Sequence, residues 1–189
     1  MIPSLEAAYA EPHRRYHTLA HIEACLGELA RLEGLGAEDR RTLEYAIWWH
    51  DAVYDPHRSD NEERSANLAR EDLARLGVAD DVIAEVERLI LLTKGHEVAD
   101  SDGLGARLVS IDLSILGASE ADYEAYAEGV REEYAFVPEQ AFRQGRAAIL
   151  KRFLASPSLF PDPEFRLRLE EPARANLARE IARLTSGPG

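Results

Sequence analysis

The sequence predicts an all-α protein, a single-domain compact helical bundle over residues 1–189. Three observations carry that expectation. Apolar residues recur every three or four positions in one segment after another, the spacing that gives a helix one buried face. No stretch sustains the period-two alternation of a half-buried strand, and Asp102-Gly103 sits in a polar loop rather than between β-branched runs. A chain of 189 residues, 46% of them hydrophobic, suits one domain with a substantial core.

Taken in order, the first helix is expected from about Tyr16 to Arg31, with Leu19, Ile22, Leu26 and Leu29 on its apolar face. A second, from about Asp39 to His50, carries Leu43, Ala46, Ile47 and Trp48. Val53 to Ser59 holds Pro56 and reads as a loop. Asp60 followed by Glu63 has the form of an acidic capping box, and Gly77 supplies a left-handed stop after Leu76. Asp80 or Asp81 opens the next helix, which runs to Thr93 before Gly95. A polar loop from Glu97 to Gly105 leads to a short apolar helix around Leu108 to Leu116. Ser119 with Asp122 begins another helix, Pro138 lies near the first turn of the next, and Asp162 to Leu184 closes the chain. The sequence shows no internal repeat, linker or low-complexity tract.

Composition narrows the function classes. The formal net charge of −13 leaves no basic stripe for a long nucleic acid. An anionic small molecule would need a local positive centre, from a metal or an arginine cluster. The first residues lack the basic start and apolar stretch of a signal peptide, and Leu89-Ile90-Leu91-Leu92 is too short to cross a bilayer. A cytoplasmic protein without membrane partners is therefore expected. The single Cys25 precludes an internal disulfide, a zinc ribbon and a CxxC redox motif.

Six histidines can be weighed one by one. His17 and His21, four apart on one expected helix, stack on the same face, where they can share a metal, split duties around one site, or be ordinary part-buried residues. His50-Asp51 ends the apolar run Tyr45-Ala46-Ile47-Trp48-Trp49, so at least one of the pair should point inward, and a buried carboxylate requires a partner. Asp112 interrupts the apolar segment 108–116, calling for a cation, an arginine or a role as an N-cap. His96 follows Gly95 at a helix end, as a further ligand or a partner of the helix dipole. His13 and His57 read as surface histidines.

The order His21, His50-Asp51, Asp112 on helices resembles the HD superfamily of metal-dependent phosphohydrolases. Tyr16-His17-Thr18-Leu19-Ala20-His21 matches its opening Tyr-His-x-x-x-His form. Further stretches are similar to one bacterial branch of predicted HD-superfamily phosphohydrolases. They are Glu11 to His17, Trp49 to Asp55, Asp60 to Ala66, Ile111 to Gly117, and Tyr126 through Arg131 to Tyr134. The resemblance covers Tyr9 to about Glu180.

That resemblance implies an HD-type helical fold with His21, His50, Asp51 and Asp112 as metal ligands and His17 as proton donor to the leaving oxygen. Several nucleotide hydrolases of the superfamily carry Glu-Asp where this chain has Tyr54-Asp55. Asp55 would then position the nucleophilic water, while the glutamate's role is absent or moved to Glu62 or Glu63. His96 is the one candidate for a second metal, so a single divalent transition metal is expected: Mn, Fe, Co, Ni or Zn. The implied reaction is hydrolysis of a phosphate ester, of a nucleotide or a related small phosphorylated molecule, by a metal-bound hydroxide. Arg14 or Arg15 would hold phosphate by a bidentate contact. Arg131 and Arg146 are weaker candidates, better read as helix-surface salt bridges. The rival readings are a non-catalytic module binding metal and nucleotide, and a di-iron oxygenase of the HD type, which needs more histidines.

Overall fold

The computed structural model describes residues 3–186, with side chains from Leu5 onward. It is all-helical, with no strand among the described residues. The helices are α1 (Pro3–Tyr9), α2 (Leu19–Arg31), α3 (Ala37–Trp49), α4 (Asn61–Arg75), α5 (Asp80–Leu92), α6 (Gly103–Asp112), α7 (Glu120–Glu133), α8 (Glu139–Ala155) and α9 (Pro163–Thr185). A short 3-10 turn, Leu113–Gly117, follows α6. The chain divides between Asp112 and Leu113 into two compact units. That division falls inside a continuous apolar segment, where composition marks no boundary.

In the first unit α3 is the central helix, packing against α2, α4, α5 and α6. Its buried residues Thr42, Leu43, Ala46, Ile47 and Trp49 recur at helical spacing, so one face of the helix stays covered to its last turn. Trp49 Nε1 donates to Asp72 Oδ2 of α4 at 3.2 Å, and Arg75 holds the other oxygen of Asp72 at 2.6 Å. The α3 terminus is thereby fixed in rotation just before His50. The turn that follows is pinned to the start of α4. Asn61 Oδ1 accepts from the Asp55 amide at 3.1 Å and Asn61 Nδ2 donates to the Asp55 carbonyl at 2.9 Å, while the Ser65 hydroxyl oxygen accepts from the Val53 amide at 3.0 Å.

Several local expectations give way to longer-range partners. Helix α2 starts at Leu19, not Tyr16, because residues 11–18 form a turned segment ending in the extended Thr18. His17 therefore lies outside the helix that carries His21. The capping box at Asp60 is not made: Arg58 takes both Asp60 oxygens, at 2.7 and 2.6 Å, and Glu63 pairs with Lys94. Helix α6 starts at Gly103, inside the expected polar loop, because Asp102 Oδ1 accepts from the Gly105 amide at 2.8 Å while Arg88 of α5 holds the Asp102 carboxylate. It ends at Asp112, which is thus no N-cap. The short α1 was not anticipated from the sequence. Gly77 does close α4, with φ +74° and the Val78 amide bonded back to Leu73.

The second unit packs α8 on α9 and sets the 3-10 turn against α7 and α9. Ser119 caps α7 as expected, accepting from the Asp122 amide. Asp162 with Pro163 opens α9. Gly117 approaches Leu169 so closely that a Cβ there would lie 2.6 Å from the Leu169 Cβ. No described helix is long and apolar enough to cross a membrane.

Replacing Trp49 with Phe keeps the apolar ring and deletes one bond to Asp72, which stays paired with Arg75. The variant should lose about 1 kcal/mol in urea denaturation. Unchanged stability would mean that the indole bond does not hold the α3 terminus.

Candidate metal centre

Three helix ends of the first unit converge. His21 lies in the first turn of α2, His50 caps the C-terminus of α3 with its neighbour Asp51, and Asp112 is the last residue of α6. Helices α2, α3 and α6 pack on one another pairwise, which is why residues so distant in sequence share one place. Both imidazoles are buried, their side chains 4% and 2% exposed.

The His50 ring is set by its backbone: Nδ1 donates to the Ile47 carbonyl at 2.9 Å, which leaves Nε2 of the neutral ring as the free lone pair. His50 Nε2 lies 3.2 Å from His21 Nε2, 3.2 Å from Asp51 Oδ2 and 3.5 Å from Asp112 Oδ1. His21 Nε2 lies 3.3 Å from Asp112 Oδ1 and 3.7 Å from Asp51 Oδ2. With bonds of about 2.1 Å, neighbouring ligand atoms lie roughly 3.0 Å apart around an octahedral ion and roughly 3.4 Å apart around a tetrahedral one. Three of the five separations fall between those edges, and the other two, 3.5 and 3.7 Å, lie just beyond the tetrahedral one. Two imidazole nitrogens and two carboxylate oxygens suit a borderline divalent metal, and their spacing fits one ion.

The electrostatics follow from burying two carboxylates among four imidazoles, those of His17, His21, His50 and His96. Burial would raise the Asp51 carboxyl, but His50, His17 and His21 together hold it below the usual carboxylate range. Burial likewise opposes ionisation of Asp112, and hydrogen bonds from His21, His50 and His96 outweigh it. For His50, burial favours the neutral ring, yet Asp51 and Asp112 push its pKa well above the ordinary histidine value. A proton on the His50 imidazole thus plays, in part, the role a cation would play.

Around this cluster the other expected residues separate. The His17 ring stacks on Tyr54 at 4.1 Å between centroids and stands 6.1 Å from the His21 ring. His96 Nε2 reaches Asp112 Oδ2 at 3.2 Å, the oxygen turned away from His21 and His50, and it does so from a backbone φ of +57°. Asp55 is turned to a local task, its Oδ1 accepting from the His57 amide at 2.9 Å and meeting His57 Nδ1 at 3.1 Å. These bonds hold its carboxyl below the usual value. Glu63 is committed to Lys94, and Glu62 sits half-buried in the first turn of α4.

The arginines also sort themselves. Arg14, expected at the substrate, is buried and donates to backbone carbonyls. Arg15 is exposed but donates to the Pro12 and Arg14 carbonyls at 2.7 and 2.8 Å. Arg131 pairs with Glu139 and brackets the Tyr134 and Val137 carbonyls, as a salt-bridge role requires. Arg146 also forms an ion pair, with Glu180, but a buried one in the second unit rather than a surface one.

Cys25 is a neighbour that the sequence reading missed, although its spacing, one turn after His21, could have signalled it. Its sulfur lies 3.8 Å from both His21 ring nitrogens, beside the ring rather than on the axis of either lone pair. Burial, then Asp112 and Asp51, push the thiol well up, so it remains neutral. His21, His50 and Asp51, and likewise His21, Cys25 and Asp112, have donor atoms within 4.8 Å of one another. No family model, no curated protein and no solved structure matches this chain.

The raised His50 pKa has a definite consequence for the metal-free protein. Its stabilisation is complete below the unfolded value of about 6.5 and is lost as pH rises through the folded value. In urea denaturation with a chelator present, stability should therefore fall as pH increases above that point. His50→Gln should flatten the slope, and an unaltered slope would assign it to another group.

Proposed function

We propose that this protein hydrolyses a phosphate ester in a metal-dependent reaction, with one divalent transition metal held by His21, His50, Asp51 and Asp112. The observation carrying this reading is the approach of two buried imidazole nitrogens to 3.2 Å with two carboxylate oxygens around them. The resemblance of the same four positions to the HD superfamily supports it, and points to a nucleotide or related small phosphorylated substrate. A cytoplasmic location belongs to the same reading.

A bound ion supplies a Lewis acid that acidifies a water and polarises a phosphoryl oxygen. The chain supplies the rest. His50 is held in its metal-binding tautomer by the Ile47 carbonyl, and His96 steadies the far oxygen of Asp112. His17, stacked on Tyr54 and electrostatically coupled to Asp51, is the group assigned to protonate the leaving oxygen.

One observation favours the rival reading, a binding module without turnover. Tyr54 occupies the position of a glutamate and covers the His17 ring, while the neighbouring Asp55 is engaged by His57. The oxygenase reading draws less support, because neither three-donor group among the described residues includes His96.

Metal analysis of the purified protein should find a retained transition metal. Phosphate-ester turnover should appear with Mn, Fe, Co, Ni or Zn in a screen of p-nitrophenyl phosphate, bis(p-nitrophenyl) phosphate and nucleotides. Asp51→Ala should abolish metal retention and turnover together. His17→Ala should keep the metal and slow turnover by roughly 10²- to 10⁴-fold. Full metal content and activity in Asp51→Ala would remove the site, and metal retention with no turnover across the screen would favour the binding module.

A further inference from the structure

Arg14 is a guanidinium with 0% side-chain exposure, and its hydrogen bonds go chiefly to backbone. Its Nη1 donates to two carbonyls at once, those of His17 at 3.0 Å and Asp51 at 2.7 Å. Nη2 donates to the Ala52 carbonyl at 3.1 Å and Nε to Glu11 Oε2 at 2.9 Å. The Arg14 Cζ also lies 5.2 Å from the centre of the Tyr9 ring and 5.5 Å from that of Tyr54. Tyr9 in turn donates to the Trp48 carbonyl at 2.9 Å. One side chain thus joins the turn before α2, which carries His17, to the turn after α3, which carries Asp51 and Tyr54.

The chemistry of the guanidinium suits that place. It is planar, stays charged when buried, and presents its N–H groups at fixed angles, so it can satisfy three carbonyls from two segments. Lysine would keep the charge on a flexible stem without the fork. His17 stands outside α2, so no helical ladder sets its orientation. Its carbonyl is held by Arg14, and the ring it stacks on, Tyr54, contacts the same guanidinium.

We propose that Arg14 is a positioning residue, not a substrate contact: it holds His17 against Tyr54 and in register with the turn bearing Asp51. The placement stands on these contacts alone, and its catalytic consequence rests on the phosphohydrolase reading.

The test compares Arg14→Lys and Arg14→Ala with the unaltered chain. Proton NMR of the metal-free protein reads the His17–Tyr54 ring contact beside the His21–His50 contact. In the variants the first contact should be lost and the second kept. With bis(p-nitrophenyl) phosphate, kcat should fall roughly 10- to 100-fold while KM and metal content stay within about threefold. A His17–Tyr54 contact that survives in a folded variant overturns the proposal, as does a change confined to KM, which would mark a substrate contact. Loss of both ring contacts, or of the fold in both variants, would make Arg14 a general packing residue and also overturn it. If the unaltered protein cleaves no ester, the proposed function fails, yet the two ring contacts still decide the role of Arg14.

Discussion

Mutual compensation of buried charge governs the first unit. Two carboxylates and two imidazoles packed at helix ends would each be costly alone, and each is tolerable because the others are there. The helices around them follow the same logic. The buried face of α3 runs to its last residue, so its C-terminus can deliver His50 away from water, and the Ile47 carbonyl then decides which ring nitrogen faces the carboxylates. Truncating any one member would leave the rest unbalanced.

On the phosphohydrolase reading, that arrangement would also let a strongly acidic chain meet an anionic ligand. The overall field repels phosphate. The compensation is local, in a dense set of imidazoles that an ion can join, and it does not depend on exposed arginine. The arginines mostly serve the scaffold instead: Arg14 joins two turns, Arg88 holds the cap of α6, and Arg146 meets Glu180 in the second unit.

The sequence revealed the four converging residues through their types and order, and it revealed the helical class through periodicity. It was less informative wherever a distant partner decided a local outcome. Asp60 and Glu63 satisfy a capping pattern on paper, but Arg58 and Lys94 claim them. Gly103 to Gly105 reads as loop until Arg88 fixes Asp102 as the cap of α6. The extension of α2 back to Tyr16 failed because apolar spacing does not register the turn built around Arg14. Arginine type could not separate phosphate from carbonyl as its acceptor, since one fork serves both. Cys25, a single thiol, carries no disulfide or motif signal, and only its place one turn from His21 marks it.

His96 combines two demands at one position. Its backbone occupies the left-handed region, which disfavours β-branched residues and suits glycine or asparagine, while its ring clamps the outer oxygen of Asp112. Conformational ease and carboxylate restraint therefore pull the choice of residue in opposite directions. Glycine would relax the turn and remove one of the three imidazoles that hold the Asp112 carboxylate, leaving its outer oxygen freer to move. Histidine at this point marks a fold that accepts local backbone discomfort to keep one oxygen still.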